Sequence, residues 1–296
     1  MAQTIPTLAD LFKSGAHFGH RRNHTDARSH KFVHSYKNKV AVINLEKTVE
    51  QLSVALSEIR ALAAKGATFI FVGTKLQAKD IVKKTAEELS SQYIIERWPG
   101  GLLTNFDVII KGIKKMNKTE DDLANNKLSH LKKKEILKIQ KDLAKQKNIF
   151  GGLKNLTGKP DMVIVVDAKQ EDIAIKEATK ESIPVTAICD TNSNPGIVSY
   201  PIVANDDSRK TIELILGLIR DEIKANFKSK VIDEEAAVEE RVKKASEIGK
   251  APVEIQDDLK PEEKKTIEKT TKKPKISIKS QKTAATAKKA TKAKKS

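Results

Sequence analysis

The sequence predicts a doubly wound α/β domain, built on a parallel sheet, into which a helical hairpin is inserted. Short apolar segments alternate with segments of helical periodicity over residues 46–95 and again over 161–226. This alternation is typical of parallel sheets covered by helices on both faces. The run from Met162 to Val166 is apolar at every position, as expected for a strand buried on both sides. Between the two α/β segments, about residues 105–150 carry narrow apolar stripes among many lysines.

The first α/β segment contains two predicted helices and two predicted strands. Over residues 46–65, apolar side chains recur every three or four positions, which predicts an amphipathic helix that ends at Gly66. Residues 68–72 then form an apolar run rich in β-formers, residues 75–90 have helical periodicity, and residues 93–95 form a second short apolar run. The predicted order is therefore helix, strand, helix, strand.

The inserted segment of about residues 105–150 predicts two helices that pack against each other and project from the domain. One apolar stripe runs over residues 106–116, and a second consists of Leu128, Leu131, Leu137 and Leu143. Lysines occupy most of the other positions. Because a narrow apolar seam with charge elsewhere is typical of coiled-coil packing, we predict a coiled-coil helical hairpin.

The second α/β segment repeats the alternation of strands and helices. We predict strands over residues 162–166, 183–188 and 202–203, and helices over residues 173–179 and 208–226. Asp206 or Asp207 is available to cap the last helix.

Beyond residue 226 the apolar periodicity is lost. Residues 271–296 contain ten lysines, no acidic residue and two isoleucines. Such a segment cannot bury enough apolar surface to offset the entropy lost on ordering. We therefore predict an α/β domain at residues 1–226, which includes the hairpin, and a charged, largely disordered C-terminal extension at residues 227–296.

The positive charge of the chain is concentrated in three blocks. The 296 residues have a net charge of +17, and residues 20–40, 111–150 and 271–296 carry net charges of +5, +7 and +10. Any one block is consistent with a solvated face, but a solvated surface normally intersperses both signs. Three blocks predict a polyanionic partner, with nucleic acid as the first choice. An anionic membrane surface would instead require a basic amphipathic helix or a lipid signal.

Other features of the sequence bear on the compartment. The first ten residues lack the basic and apolar regions of a signal peptide. No apolar run approaches the ~20 residues needed to span a bilayer. Cys189 is the only cysteine, so no disulfide forms within the chain. We predict a cytoplasmic protein without a membrane partner.

The motifs of nucleotide-binding enzymes are incomplete in this sequence. Gly73 and Lys75 lie where a strand meets a helix, a position at which backbone N–H groups bind phosphate, but the further glycines of a dinucleotide-binding or phosphate-binding loop are missing. Cys189 ends an apolar strand, and we interpret it as a buried thiol rather than a nucleophile. We therefore predict no enzymatic activity, no cofactor and no small-molecule substrate. In an RNA-binding protein, Lys75 would contact a backbone phosphate.

Two histidines and several aspartates are candidate ligands for a metal ion. His17 and His20 are three residues apart, a spacing that can chelate zinc. Asp190, Asp206 and Asp207 lie at predicted strand ends, where the sites of α/β proteins gather. Because nothing in the sequence brings these segments together, we predict no metal and leave open whether His17, His20, Asp190 and Asp206 hold one.

Seven short motifs occur in a fixed order along the chain. They are residues 16–20 (AHFGH), 97–106 (RWPGGLLTNF), 150–153 (FGGL), 160–167 (PDMVIVVD), 174–178 (AIKEA), 183–192 (IPVTAICDTN) and 205–208 (NDDS). In order and spacing, over about residues 5–225, they resemble the bacterial family of small-subunit ribosomal protein two. One departure is that the family usually has an aromatic residue and a Pro-Lys pair after the second histidine, where this chain has RRNHTDAR at residues 21–28.

The resemblance implies a flavodoxin-like α/β domain with an inserted coiled-coil hairpin. It also implies a place on the small ribosomal subunit between head and body, against ribosomal RNA. The partners that it implies are small-subunit ribosomal RNA and other small-subunit ribosomal proteins, including the large one that captures messenger RNA.

Charge and resemblance together predict a structural constituent of the ribosome that contacts RNA phosphates. The predicted RNA-binding residues are Arg21, Arg22, Lys37, Lys39, Lys75, Arg97, Lys111, Lys114, Lys115, Lys132, Lys133 and Lys134. Trp98 is interpreted as a core anchor, with base stacking as the alternative reading. The alternative functions are an enzyme on the same fold, such as one acting on sugar phosphates or nucleotides, and a free RNA-binding or assembly factor.

Overall fold

The computed structural model describes residues 5–125, 127–128 and 132–227. Leu131 of the predicted seam and, apart from Phe227, the predicted C-terminal extension lie outside the described residues. The helices are α1 (Leu8–Ser14), α2 (Leu45–Ala64), α3 (Lys79–Glu88), α4 (Phe106–Ala124), α5 (Lys133–Phe150), α6 (Asp172–Lys180) and α7 (residues 209–227). The strands are β1 (Phe18–Arg21), β2 (Val33–Lys37), β3 (Val40–Ile43), β4 (Phe69–Val72), β5 (Gln92–Ile94), β6 (Met162–Val166), β7 (Val185–Cys189) and β8 (Tyr200–Val203).

The larger sheet is parallel and has the strand order β5-β4-β6-β7-β8. Counted along the chain from β4, this is the order 2-1-3-4-5 of flavodoxin-like folds. The predicted doubly wound α/β class is therefore confirmed. The order reverses between β4 and β6, so the carboxyl ends of these two strands flank the crevice in which α/β proteins of this type build their sites.

Two apolar cores cover the two faces of the larger sheet, because successive side chains of a strand point to opposite sides. Phe69 and Phe71 of β4 belong to one core, with apolar residues of α1, α2, α3 and α7. Ile70 and Val72 belong to the other, with residues of α6, the start of α4 and the segment around Trp98. All four β4 side chains are thus buried, which explains the continuous apolar pattern of this strand.

A second, antiparallel sheet of three strands lies in the segment that the sequence marked only as a basic block. Its order is β1-β3-β2. β2 and β3 are joined by a two-residue turn in which Asn38 and Lys39 have φ angles of 50° and 63°, the conformation of a tight hairpin turn. Helix α1 precedes this sheet, begins with a capping box between Thr7 and Asp10 and ends at Gly15 with φ 83°. Neither the sheet nor α1 was predicted.

A buried carboxylate organises the loop that leads from β5 into α4. Glu177 of α6 accepts hydrogen bonds from the Trp98 indole Nε1 at 3.2 Å, the Gly101 backbone N–H at 2.7 Å and the Leu103 backbone N–H at 3.1 Å. Buried backbone donors without partners are costly. Glu177 therefore fixes the path of this loop, and Trp98, which is 5% exposed, is a core anchor as interpreted.

Helices α4 and α5 pack against each other as the predicted helical hairpin. Met116 on α4 and Leu143 on α5 are buried, and Glu120 of α4 forms ion pairs with Lys147 of α5 and with Lys154. Coiled-coil packing of the two helices stays a prediction. None of the helices in the described ranges is both long and apolar enough to cross a bilayer.

Gly152 marks the return of the chain from the hairpin to the larger sheet. A Cβ atom at this position would lie 2.1 Å from the Tyr93 carbonyl oxygen and 2.6 Å from the Tyr93 ring. At the preceding Gly151, a Cβ atom would meet nothing within 4 Å. The close approach of this segment to β5 therefore depends on the second glycine of the pair and not on the first.

We expect the substitution Gly152→Ala to destabilise the protein by about 1–3 kcal/mol, because the methyl group forces the backbone at Tyr93 to move. Gly151→Ala is the matched control and should change the free energy of unfolding by less than about 0.5 kcal/mol. The measurement is urea unfolding of both variants and the wild type. Equal stability of the two variants would contradict the packing described here.

Candidate nucleic-acid interface

Four of the predicted RNA-binding residues lie together at one end of the antiparallel sheet. Arg21 ends β1 and pairs with Val40 of β3, opposite Lys37 at the end of β2. The backbone N–H of Arg22 donates to the carbonyl oxygen of Lys39 at 2.8 Å. The structure thus brings together two basic pairs that are about fifteen residues apart in sequence. All four side chains are exposed, and within the described part of the chain none of them forms an ion pair.

Aromatic side chains lie beside this group of cations. The Arg22 guanidinium lies 5.4 Å from the centre of the Tyr36 ring, and the ring of His30 lies 6.1 Å from that of Tyr36. An arginine held over an aromatic face keeps its N–H donors free for a planar or anionic partner. Arg28 differs, because Asp26 neutralises it through contacts of 3.0 Å. Arg21, Arg22, Lys37 and Lys39, by contrast, have no acidic partner among the described residues.

The predicted cations of the hairpin are also exposed. Lys111, Lys114 and Lys115 lie on α4, and Lys132, Lys133 and Lys134 lie at the start of α5. None of these six forms an ion pair with a described residue. By contrast, Lys147 and Lys154 are paired with Glu120. The start of a helix carries a partial positive charge, so the three lysines at the start of α5 add to a potential that already attracts anions.

Arg97 lies apart from both groups, directly after β5 at the carboxyl edge of the larger sheet. Its side chain is exposed, between Trp98, which is buried, and Glu96, which is paired with Lys79 at 2.9 Å. Within the described residues Arg97 has no ion pair. It remains available to a phosphate from solvent.

Lys75, for which a contact with an RNA phosphate was predicted, is surrounded by carboxylates of the protein. It follows β4 at the point where the strand order reverses, and its ammonium lies 2.6 Å from Asp206, 2.6 Å from Asp207 and 3.4 Å from Asp167. Burial by itself lowers the pKa of Lys75, but the hydrogen bonds to Asp206 and Asp207 outweigh burial and raise this pKa. The ammonium is committed to carboxylates, which argues against the predicted phosphate contact. We therefore leave Lys75 out of the interface.

The same edge of the sheet gathers three of the four residues considered as metal ligands. The His20 Nδ1 lies 2.7 Å from Asp190, and its Nε2 lies 3.9 Å from Asp207. One potential ligand atom from each of His20, Asp190, Asp206 and Asp207 lies within 4.8 Å of the others. An imidazole nitrogen and carboxylate oxygens suit a divalent cation such as Zn²⁺. In the geometry described, Lys75 supplies positive charge to Asp206 and Asp207 from the other side.

The charges of this cluster shift the pKa values of its members. The hydrogen bond to Asp190 raises the pKa of His20 above its ordinary value. Burial, followed by repulsion from Asp167 and Asp190, raises the pKa of Asp206 to about 7. Its second carboxylate oxygen is buried without a hydrogen-bond partner among the described residues. Asp206 is thus the group in this cluster whose charge is least well compensated.

His17, the fourth candidate ligand, does not join the cluster. Its ring stacks on Phe12 at 4.2 Å between centroids and lies 4.0 Å from the ring of Phe18. Burial lowers the pKa of His17. A cavity of about 520 Å³ beside it is lined mainly by apolar residues and by none of the predicted RNA-binding residues. His17 is therefore part of an aromatic stack.

We expect protonation of His17 to destabilise the fold. Because the pKa of His17 is lowered below its ordinary value of 6.5, its contribution to stability is complete above pH 6.5 and is lost as the pH falls toward the folded-state value. The variant His17→Phe keeps a stacked ring without the titration. The free energy of unfolding of the wild type, relative to that of the variant, should fall between pH 8 and pH 5. His20, whose pKa is also shifted, is present in both proteins, so its contribution cancels when the two free energies of unfolding are subtracted. A difference in free energy of unfolding that does not change with pH would contradict this account.

Comparison with known proteins agrees with this architecture. Residues 11–226 match the family model described as Ribosomal protein S2. The small ribosomal subunit protein uS2 of Buchnera aphidicola subsp. Schizaphis graminum (strain Sg) is 40% identical over 215 residues, which cover 73% of this chain and 88% of the relative.

Two further relatives carry the same name. The protein from Pseudoalteromonas atlantica (strain T6c / ATCC BAA-1087) is 40% identical over 217 residues, which cover 73% of this chain and 89% of the relative. The protein from Flavobacterium psychrophilum (strain ATCC 49511 / DSM 21280 / CIP 103535 / JIP02/86) is 40% identical over 229 residues, which cover 77% and 86%. The chain therefore belongs to the ribosomal protein S2 family.

Proposed function

We propose that the protein binds ribosomal RNA in the small ribosomal subunit through unpaired cations on the antiparallel sheet and the helical hairpin. Membership of the ribosomal protein S2 family makes the chain a structural ribosomal protein and not an enzyme. The observation that carries the RNA-binding proposal is the convergence of Arg21, Arg22, Lys37 and Lys39 at one end of the antiparallel sheet, where no described residue forms an ion pair with them. Such a group neutralises phosphates and releases their counterions.

The hairpin supplies a second group of contacts. Lys111, Lys114 and Lys115 on α4 and Lys132, Lys133 and Lys134 at the start of α5 are exposed and unpaired within the described residues. Arg97 adds a single cation at the carboxyl edge of the larger sheet. These contacts fix position and orientation on RNA, because lysine and arginine contacts to phosphate carry little sequence information.

The remaining parts of the proposal concern place and partners. We assign the protein to cytoplasmic ribosomes, between head and body of the small subunit, where it also supports the docking of other small-subunit proteins, including the large one that captures messenger RNA. The support is that the relatives named small ribosomal subunit protein uS2 are matched over most of their length. A free assembly factor is the alternative, and the two differ in whether the protein stays in the finished subunit.

We expect the full-length chain to co-sediment with small ribosomal subunits at moderate salt, at about one copy per subunit. The measurement is quantitative mass spectrometry of purified subunits from cells that express the chain. Much less than one copy per mature subunit, with enrichment in immature particles, would favour the assembly factor. Recovery of the chain from the ribosome-free fraction alone would overturn the proposal.

We expect the variant R21Q/R22Q/K37Q/K39Q to bind small-subunit ribosomal RNA with a weaker salt dependence. If all four cations contact phosphates, the slope of the logarithm of the binding constant against the logarithm of salt concentration should fall by about 3–4 in magnitude. The matched control removes four cations that are paired with acids, in the variant R28Q/K83Q/K159Q/K176Q. An equal change of slope in both variants would mean that total charge, and not this group, governs binding.

A further inference from the structure

Helix α5 carries a second set of lysines that the sequence analysis did not single out as a group. Lys134, Lys138, Lys141 and Lys145 follow one another at steps of four, three and four residues, and all four are exposed. At 3.6 residues per turn they lie within about 60° of each other around the helix axis, along about 17 Å. They form a continuous stripe, here called the α5 stripe.

The α5 stripe faces away from α4. Leu143, the buried residue of α5, lies about half a turn around the axis from Lys141 and Lys145. Ile139 and Leu143 line the groove between the two helices together with Thr119 of α4. The α5 stripe is therefore on the outer surface of the hairpin and stabilises neither the seam nor the apolar cores.

The α5 stripe contains no compensating acid. The acids of α5 are Glu135 and Asp142, and both lie on its flank, where Glu135 accepts the backbone N–H of Lys132 at 3.0 Å. Within the described residues, none of the four lysines forms an ion pair. Lys134 with Lys138, and Lys141 with Lys145, are like charges four residues apart, and such pairs repel each other on the surface of a helix. An anion lying along the α5 stripe would reduce this repulsion.

Helix α4 has a corresponding stripe on its own outer surface. Lys111, Lys114 and Lys118 lie on the side of α4 opposite Met116 and are exposed, and we call them the α4 stripe. The residues of α4 that face α5 include Thr119, which lines the groove with Lys115 and Asp122, and Glu120, which is paired with Lys147. The two stripes therefore face in opposite directions, about 20 Å apart across two packed helices.

We propose that the α5 stripe binds the phosphate backbone of one RNA segment while the α4 stripe binds another, so that the hairpin is held between two segments of ribosomal RNA. This inference rests on the proposed RNA-binding function and extends it to Lys118, Lys138, Lys141 and Lys145. One RNA strand cannot follow both stripes, because they lie on opposite surfaces of the hairpin. The partner is an RNA backbone because each stripe presents several ammonium groups in a row, without groups placed to read bases.

The test uses the full-length chain with small-subunit ribosomal RNA and compares two variants. Variant K134Q/K138Q/K141Q/K145Q removes the α5 stripe, and variant K111Q/K114Q/K118Q removes the α4 stripe. Glutamine keeps a helix propensity close to that of lysine, and circular dichroism confirms that both variants fold. R28Q/K83Q/K159Q/K176Q again serves as the control with four cations removed from ion pairs. The two measurements are the salt dependence of binding and hydroxyl-radical footprinting of the RNA.

The expected result has two parts. Loss of the α5 stripe lowers the salt slope by about 3–4, loss of the α4 stripe lowers it by about 2–3, and each removes a different set of protected nucleotides. A wild-type slope for the α5 variant, or the same lost protections in both variants, would overturn the two-segment arrangement while leaving RNA binding intact. Absence of salt-dependent binding by the wild type would overturn the proposed function itself, so the two failures are distinguishable.

Discussion

The contact of Lys75 with three aspartates determines how the carboxyl edge of the larger sheet is built. Asp206 is fully buried, and a buried carboxylate persists only when it is paired. Lys75 after β4 joins Asp167 after β6 and Asp206 after β8, so one ammonium connects three strand ends. Removing one partner of such a buried group typically costs about 3–5 kcal/mol, because the remaining charge is left uncompensated. The crevice where many α/β proteins bind a ligand is here crossed by the protein's own ion pairs.

The ion pairs within the protein determine which cations remain available to bind an external anion. Acids close to the strand ends are paired with Lys75 and His20, and Arg28 is paired with Asp26. In the described part of the chain, the cations without an ion pair include Arg21, Arg22, Lys37 and Lys39 on the antiparallel sheet, the two lysine stripes of the hairpin, and Arg97 after β5. In the proposed function, most of the cations that contact RNA therefore lie on elements added to the α/β body.

Among the strands, the sequence was most informative for those that are buried on both faces. β4, β6 and β7 were predictable because every side chain in them is buried. The antiparallel sheet was missed because its strands are four or five residues long, partly exposed, and joined by an Asn38-Lys39 turn without glycine. The pairing of Lys75 could not be predicted from the sequence, because its partner Asp206 lies 131 residues away. The grouping of Arg21 and Arg22 with Lys37 and Lys39 likewise depends on strand pairing that periodicity does not reveal.

The anchoring of the hairpin at both ends also bears on how the chain folds. β4 pairs with β6 across the whole insertion, and Thr68 donates to Asp161, 93 residues later. Closing so long a flexible loop costs entropy that grows with its length, and such distant pairings slow folding. Phe106 and Phe150, at the two ends of the hairpin, pack on the same core. If the hairpin forms first, from local contacts, it brings the end of β5 close to the start of β6. The flexible loop that must close when β4 pairs with β6 is then much shorter than the full insertion.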